Sequence, residues 1–495
     1  MTASLYSVTT LSTEKSIAAA VTRDRPEHLQ KLLKERMFGL DDLGKALHCA
    51  ANYGREECAR VLLDNGALPD IHCPQGFTPL ILAAKHGHAH IVRLLVQRKC
   101  KVNKATHRIR ANALHWAATY GHTACIRSLI DAGANPLAQT VLGRTPLMLA
   151  ARSGQEDALE VMLETGCDVN MQDFEKATAL HLAAEEGSSE CVRQLLAAGA
   201  TLDEPCRSSE TPLMLAAKRG NVNVARLLVR KGADVNKTGR CMTPLHWAAD
   251  NGRAECVEYL ISQVSDPDLA TKDSFCGGTF MVNRGSTPLM LACRGGHLEV
   301  VQVLLQHGCD HEKYDEEKMT PLAIAVNKGH WKCAEYLLEK GANPDGLLLD
   351  GLPVGPFPLF VAVKHNSVAC VRALLKANCS MYAAGLYKGG ETILAFDLAL
   401  TKGYLDIVRM FISVGYEVSV SDPSRHQEAL TWLLSEDEEL FLRLLQQLQS
   451  PISLMQLCRR CIRKVIGKSI QQKLELLPAP TSVKLFLNLA DLDDY

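Results

Sequence analysis

The 495-residue chain lacks a charge imbalance: 54 Lys+Arg stand against 55 Asp+Glu, a formal net charge of -1. That absence removes the general pull toward nucleic acid or anionic lipid that a strongly basic chain exerts. No apolar run approaches the length needed to span a bilayer. The opening MTASLYSVTTLSTEKSIAAA lacks the basic-then-apolar order of a secretory signal. A protein of the cytosol or nucleus is therefore expected, its 18 cysteines being mostly thiols rather than bridges. Gly-x-x-x-x-Gly-Lys-Ser/Thr and Gly-x-Ser-x-Gly are both missing, which removes the commonest nucleotide loop and the hydrolase elbow. No catalytic constellation emerges, and neither a cofactor nor a metal is expected.

What the chain does have is self-similarity. TPLILAAKHGH (78–88) recurs as TPLMLAARSGQ (145–155), TPLMLAAKRGN (211–221), TPLHWAADNGR (243–253) and TPLMLACRGGH (287–297). With the Leu of Thr-Pro-Leu or its equivalent as anchor, the units start from Leu47, Leu80, Leu114, Leu147, Leu180, Leu213, Leu245, Leu289, Leu322, Leu359 and Phe396. The spacings are 33, 34, 33, 33, 33, 32, 44, 33, 37 and 37 residues, giving eleven clear units, with weaker ones at Ile17 and Leu430. Within a unit, Thr caps a helix and Pro fits its first turn. Leu and an Ala-Ala pair make a narrow apolar face, and a Gly ends the helix. A second helix follows, as in VNVARLLVRKG (222–232), with apolar residues at three- and four-residue spacing.

These motifs resemble the ankyrin repeat over residues 14 to 448. The resemblance implies an all-α solenoid of antiparallel helix pairs with short hairpin fingers and a concave binding face. Residues 1–13 are then an N-terminal tail. The step of 44 places an insertion in the finger at about 262–285, either a tolerated surface loop or a partner contact. A second irregular stretch, GLLLDGLPVGPFP (346–358), is also longer than a standard finger.

Several eye-catching residues fall into the repeat pattern. Cys58, Cys125, Cys191, Cys256, Cys333 and Cys370 each lie eleven after an anchor, where other units carry Ile or Val. They are expected as small buried hydrophobes. His86, His88 and His90 alternate as metal ligands can, but Gly-His at this place is the repeat pattern itself, and the three span a helix break. His48, His115, His181 and His246 follow their anchors directly, and the resemblance gives them a hydrogen-bonding role. Trp116 and Trp247 are expected in the core or lining the groove.

By the same resemblance, residues five and six after each anchor face the groove. They include Tyr53, Lys85, Tyr120, Arg152, Glu185, Glu186, Lys218, Arg219, Asp250, Arg294, Lys328 and Lys364. Their balance is basic with an acidic step at Glu185-Glu186, which suits an acidic or mixed-charge protein surface. Asn170 and Asn236 end Asp-Val-Asn hairpins, a pattern that resembles substrates of an asparaginyl hydroxylase and equally fits a turn-forming Asn.

After residue 449 the repeats stop. Ser450-Pro451 reads as a helix start. Leu454, Cys458, Cys461 and Val465 then share one face, with Leu457 and Ile462 widening it, while arginines and lysines cover the other side. So short a stretch cannot bury these faces within itself. Ser453, Leu454, Cys458 and Ile462 meet the pattern Ser-Leu-x-x-x-Cys-x-x-x-Ile, which resembles an elongin B/C-binding box. Leu477, Pro478, Ala479 and Pro480 resemble a cullin-5 box, with Ala479 where a larger aliphatic residue is common. Together, at 450–495, they resemble a SOCS box behind an ankyrin array. The resemblance implies a substrate receptor that recruits elongin B/C, cullin-5 and a RING protein, and does no bond chemistry of its own. The alternative is an ankyrin scaffold or inhibitor that binds a partner without ubiquitylation. The Cys458-x-x-Cys461 pair has no second pair in the sequence to complete a tetrahedral site.

Overall fold

A computed structural model describes residues 17–35, 38–264, 266–271, 285–349, 352–353, 357–386 and 392–414. Among these are twenty-four helices and two short antiparallel hairpins. Helix pairs stand at all eleven clear anchors, and a twelfth pair, Ile17–Thr22 and Pro26–Glu35, begins at Ile17. The anchor at Leu430 lies outside the described residues. None of the described helices is long and apolar enough to cross a membrane.

The local reasons recur from unit to unit. Thr78, Thr145, Thr211, Thr287 and Thr320 each precede a helix with Pro in its first turn, and each hydroxyl accepts the N–H three residues on. These first helices run seven or eight residues, for instance Pro79–Lys85 and Pro212–Arg219. Their anchors and Ala-Ala pairs are shut off from solvent: Leu47, Leu114, Leu180 and Leu213 are 0% exposed, as are Ala83-Ala84 and Ala216-Ala217. Small residues let neighbouring helices approach until nothing polar fits between them, and each buried Leu contributes about 1.5–3 kcal/mol. The six repeat cysteines are buried in the second helices. Burial pushes the thiols of Cys58, Cys125 and Cys333 up to about 11, so they behave as hydrophobes rather than nucleophiles.

The chain divides into two compact units. One holds the described residues up to Ala248, with Ser262–Val264; the other holds Ala249–Ile261 and the described residues from Asp266 on. In the first, inner helices stack in chain order from Leu40–Tyr53 to Pro212–Arg219, and the outer helices do likewise from Glu56–Asp64 to Val222–Arg230. In the second, the inner row runs Pro288–Gly295, Pro321–Asn327, Pro358–Lys364, Ala395–Lys402. The finger carrying the insertion closes at its base, where Thr271 N–H donates to the Ser286 carbonyl at 2.9 Å; residues 272–284 lie outside the described set. The stretch at 346–358 carries one hairpin, Leu348–Leu349 against Leu352–Pro353. The other is Ala384–Leu386 against Thr392–Leu394.

Candidate protein-docking face and terminal box

The inner-helix ends expose the side chains singled out above. Tyr53 and Tyr120 are 53% and 47% exposed, and Arg152, Glu186, Arg219, Lys328 and Lys364 are also exposed. Lys85, Glu185, Lys218, Asp250 and Arg294 are half-buried.

Their charges do not add as a row of free cations. Arg219 pairs with Glu185 of the preceding repeat. In the second unit, Arg294 pairs with Asp250 at 2.8 Å. Lys218 reaches back along its own repeat to Glu210, 2.9 Å away and 8% exposed, while its ammonium sits 4.5 Å from the Trp247 ring centre. Three of the basic residues are thus held by carboxylates, and the acidic step at Glu185 is met by Arg219. The net positive character along the groove positions is smaller than the residue types alone imply.

Lys85 behaves differently. Its Nζ lies 5.0 Å from the Trp116 ring centre and 5.4 Å from that of Phe77. Trp116 packs against Phe77 at 5.6 Å and stacks on Tyr120 at 6.0 Å with planes 9° apart. Trp116 is therefore half-buried lining, and its indole Nε1 is buried without a hydrogen-bond partner among the described residues. Trp247 is 8% exposed and belongs to the core. A cation over stacked aromatic faces gains electrostatically from the ring quadrupoles. This cluster offers a partner one charge, one phenol and an aromatic wall.

The histidines that follow an anchor and those that follow the helix-ending Gly form two structural sets. His115 Nδ1 accepts the Asn112 N–H at 3.2 Å, and its Nε2 lies 3.2 Å from the Arg144 carbonyl, to which it donates. Burial pushes its pKa down to about 4, outweighing the carbonyls of Arg144 and Ala138 that act the other way. His181 is likewise lowered, chiefly by burial. The Gly-His histidines reach back one repeat: Nε2 of His88, His122, His297 and His330 meets the carbonyls of Asn52, Lys85, Asp250 and Arg294 at 3.1–3.2 Å. Among the described residues no three His, Cys, Asp or Glu side chains gather as metal ligands.

Asn170 is tied at both ends of its amide. Nδ2 donates to the Gly199 carbonyl at 3.2 Å, and Oδ1 accepts the Thr201 N–H at 2.9 Å. Asn103 makes the same clamp to Gly133 and Asn135. Asn236 is exposed, its N–H on Asp234. Sequence reasoning missed Phe77, Glu210 and a set of exposed apolar finger tips, Ile109, Val141, Leu142 and Phe174. The tips carried a signal: apolar side chains at positions where neighbouring fingers place Arg or Ser.

The elongin-type residues Ser453, Leu454, Leu457, Cys458 and Ile462, and the cullin-type residues Leu477, Pro478, Ala479 and Pro480, lie outside the described residues. Comparison of the sequence with protein families speaks to that segment. The SOCS box profile matches residues 450–488. The profile "Ankyrin repeats (3 copies)" matches 16–106, 103–173, 180–273 and 271–347. Among curated relatives, E3 ubiquitin-protein ligase XBAT33 of Arabidopsis thaliana is 37% identical over 99 residues, 20% of this chain and 19% of the relative. B-cell lymphoma 3 protein homolog of Mus musculus is 32% identical over 145 residues, 28% of this chain and 32% of the relative. The chain thus spans only between about a fifth and a third of these relatives' length. The solved human ASB11 ankyrin repeat domain is similar at 26% identity and a TM-score of 0.41, covering 46% of this chain and 98% of that one.

Proposed function

Because this chain belongs to the ankyrin repeat proteins and carries a SOCS box behind its repeats, we propose that it is the substrate-recognition subunit of a cullin-RING ubiquitin ligase. The observation that carries this reading is the box at 450–488, placed after the array. The repeats hold the target; the box hangs it on elongin B/C and, through Leu477-Pro478-Ala479-Pro480, on cullin-5 with its RING protein. The name of the Arabidopsis thaliana relative, a ubiquitin-protein ligase, is in keeping with this.

In this reading the chain forms and breaks no bond in the transfer. It supplies proximity, converting an encounter between a target lysine and a ubiquitin thioester into a reaction within one assembly. Leu454 enters an apolar pocket on elongin C, and Cys458 and Ile462 pack beside it. Cys458 matters as a small apolar side chain four residues after Leu454, not as a thiol.

Leu454→Ala with Cys458→Ala removes two apolar anchors, of which a Leu alone accounts for about 1.5–3 kcal/mol. The double variant is expected to lose elongin C on co-purification while the array stays folded by circular dichroism. Pro478→Ala with Pro480→Ala is expected to keep elongin and lose cullin-5. Normal elongin recovery by the first variant overturns the assignment of Leu454 and Cys458, and absence of elongin C from the wild-type pull-down overturns the receptor reading in favour of a plain scaffold.

A further inference from the structure

We infer that the finger tips of the first unit form a docking ridge for an extended protein segment with apolar residues at its centre and carboxylates at its ends. The inference deepens the receptor reading, and rests on it only in taking the occupant to be the ubiquitylation target.

The ridge rests on three observations. The first is exposure: on three successive fingers Ile109, Val141, Leu142 and Phe174 are 42%, 41%, 55% and 61% exposed. Soluble proteins scatter single exposed hydrophobes freely, but a contiguous set marks an interaction surface. The second is continuity. The Val141 N–H donates to the Ile109 carbonyl at 3.0 Å, the Phe174 N–H to that of Leu142 at 3.1 Å, and the Arg207 N–H to that of Glu175 at 2.7 Å. Arg240 Nε continues the series to the Ser208 carbonyl at 3.1 Å. The tips are chained into one track, so an occupant would not have to order them on binding.

The third is charge. The tips at 107–110, 141–143, 174–176, 207–209 and 239–241 hold five cations, Arg108, Arg110, Lys176, Arg207 and Arg240, against one carboxylate, Glu175. The arginines bracket the apolar stretch from both directions along the chain of tips. In the second unit the tip at 315–318 is the reverse, with Asp315, Glu316 and Glu317 against Lys318. A linear track, apolar in the middle and guanidinium-bearing at each end, is complementary to an acidic–apolar–acidic segment. An anionic lipid surface would meet the same charges but has no use for a one-dimensional order, so the peptide is the occupant favoured.

The test uses the full chain and a fluorescein-labelled synthetic peptide, Glu-Asp-Glu-Leu-Phe-Val-Leu-Glu-Asp-Glu, followed by anisotropy. Saturable binding is expected, weakened at least tenfold by Val141→Ser, Leu142→Ser and Phe174→Ser together. These side chains are solvent-facing, so the fold should tolerate the change. Arg108→Glu with Arg207→Glu is expected to abolish binding of this peptide and to create binding of its Lys-for-acid counterpart, a gain that unfolding cannot mimic. Both variants are expected to keep elongin C. Loss of elongin by the wild-type chain with peptide binding intact overturns the receptor reading alone. Peptide binding that ignores both ridge variants, or no peptide binding with elongin retained, overturns the ridge. So does ridge-dependent binding of phosphatidylserine vesicles in place of the peptide. Binding seen only after deletion of residues 489–495 would make the chain's own acidic segment the occupant and would overturn the proposal as well.

Discussion

A buried imidazole that must stay neutral is a stability element with a pH signature. His115 is 1% exposed, and its pKa is pushed down to about 4 against an ordinary value near 6.5. As pH falls, the unfolded chain takes up the proton first. The stability held at His115 is therefore complete above about 6.5 and is lost toward 4, at up to about 1.4 kcal/mol per pH unit. Replacement by Gln removes the titration while keeping a polar side chain. His115→Gln is expected to be less stable than wild type at pH 7 and to lose less between pH 7 and 5. Denaturant midpoints of the two chains, compared at each pH, isolate this residue because every other titrating group cancels. Equal pH slopes would remove His115 from the account.

The repeating element is the helix pair, and at four junctions a Gly-His clasp joins one pair to the next. Gly87 has a φ of 79°, and a Cβ built there would stand 2.8 Å from His122 Nδ1. His122 needs that space to reach the Lys85 carbonyl at 3.1 Å. Gly133 has a similar φ of 85°, but a Cβ there meets nothing within 4 Å. Gly133→Ala therefore reports backbone strain alone, about 1–2 kcal/mol, whereas Gly87→Ala adds displacement of the His122 ring. The expected order of thermal midpoints is wild type, then Gly133→Ala, then Gly87→Ala. Reversal of the last two would deny the clasp. The same element explains what the sequence could tell. Thr caps, Pro in the first turn and buried Ala-Ala pairs are readable because each acts within a few residues of itself. The partners of Arg219 and Asn170 are not, because Glu185 and Thr201 lie 34 and 31 residues away and meet them only once the repeats are stacked. Lys85, Lys218 and Arg294 look alike in the sequence. Lys85 lies over two aromatic rings, Lys218 lies over one with a carboxylate beside it, and Arg294 is held by a carboxylate, a difference set by what the neighbouring turns present.

At the scale of the molecule, a helix-pair stack stores its stability in nearest-neighbour interfaces, not in one core. The terminal box was legible from its motif: on the proposed reading it has to match a foreign pocket, whereas a docking face carries no fixed spelling. The interface view has a consequence for damage. Leu114 is 0% exposed within the inner row of the first unit, between the repeats anchored at Leu80 and Leu147. Truncation to Ala leaves a cavity that costs about 2–5 kcal/mol. If stability were global, every helix of that unit would lose protection alike. If it is local and coupled, amide exchange should accelerate most in Ala113–Thr119, Pro79–Lys85 and Pro146–Arg152, and progressively less toward Pro212–Arg219. The hydrogen bonds at Ile109–Val141 and Leu142–Phe174 sit in the fingers flanking that site. Their amides should therefore exchange faster in Leu114→Ala, and the ridge should bind the acidic peptide more weakly although none of its surface residues has changed. Uniform acceleration across the unit, or peptide affinity unchanged while the finger amides exchange freely, would show that the ridge does not draw its order from the packing beneath it.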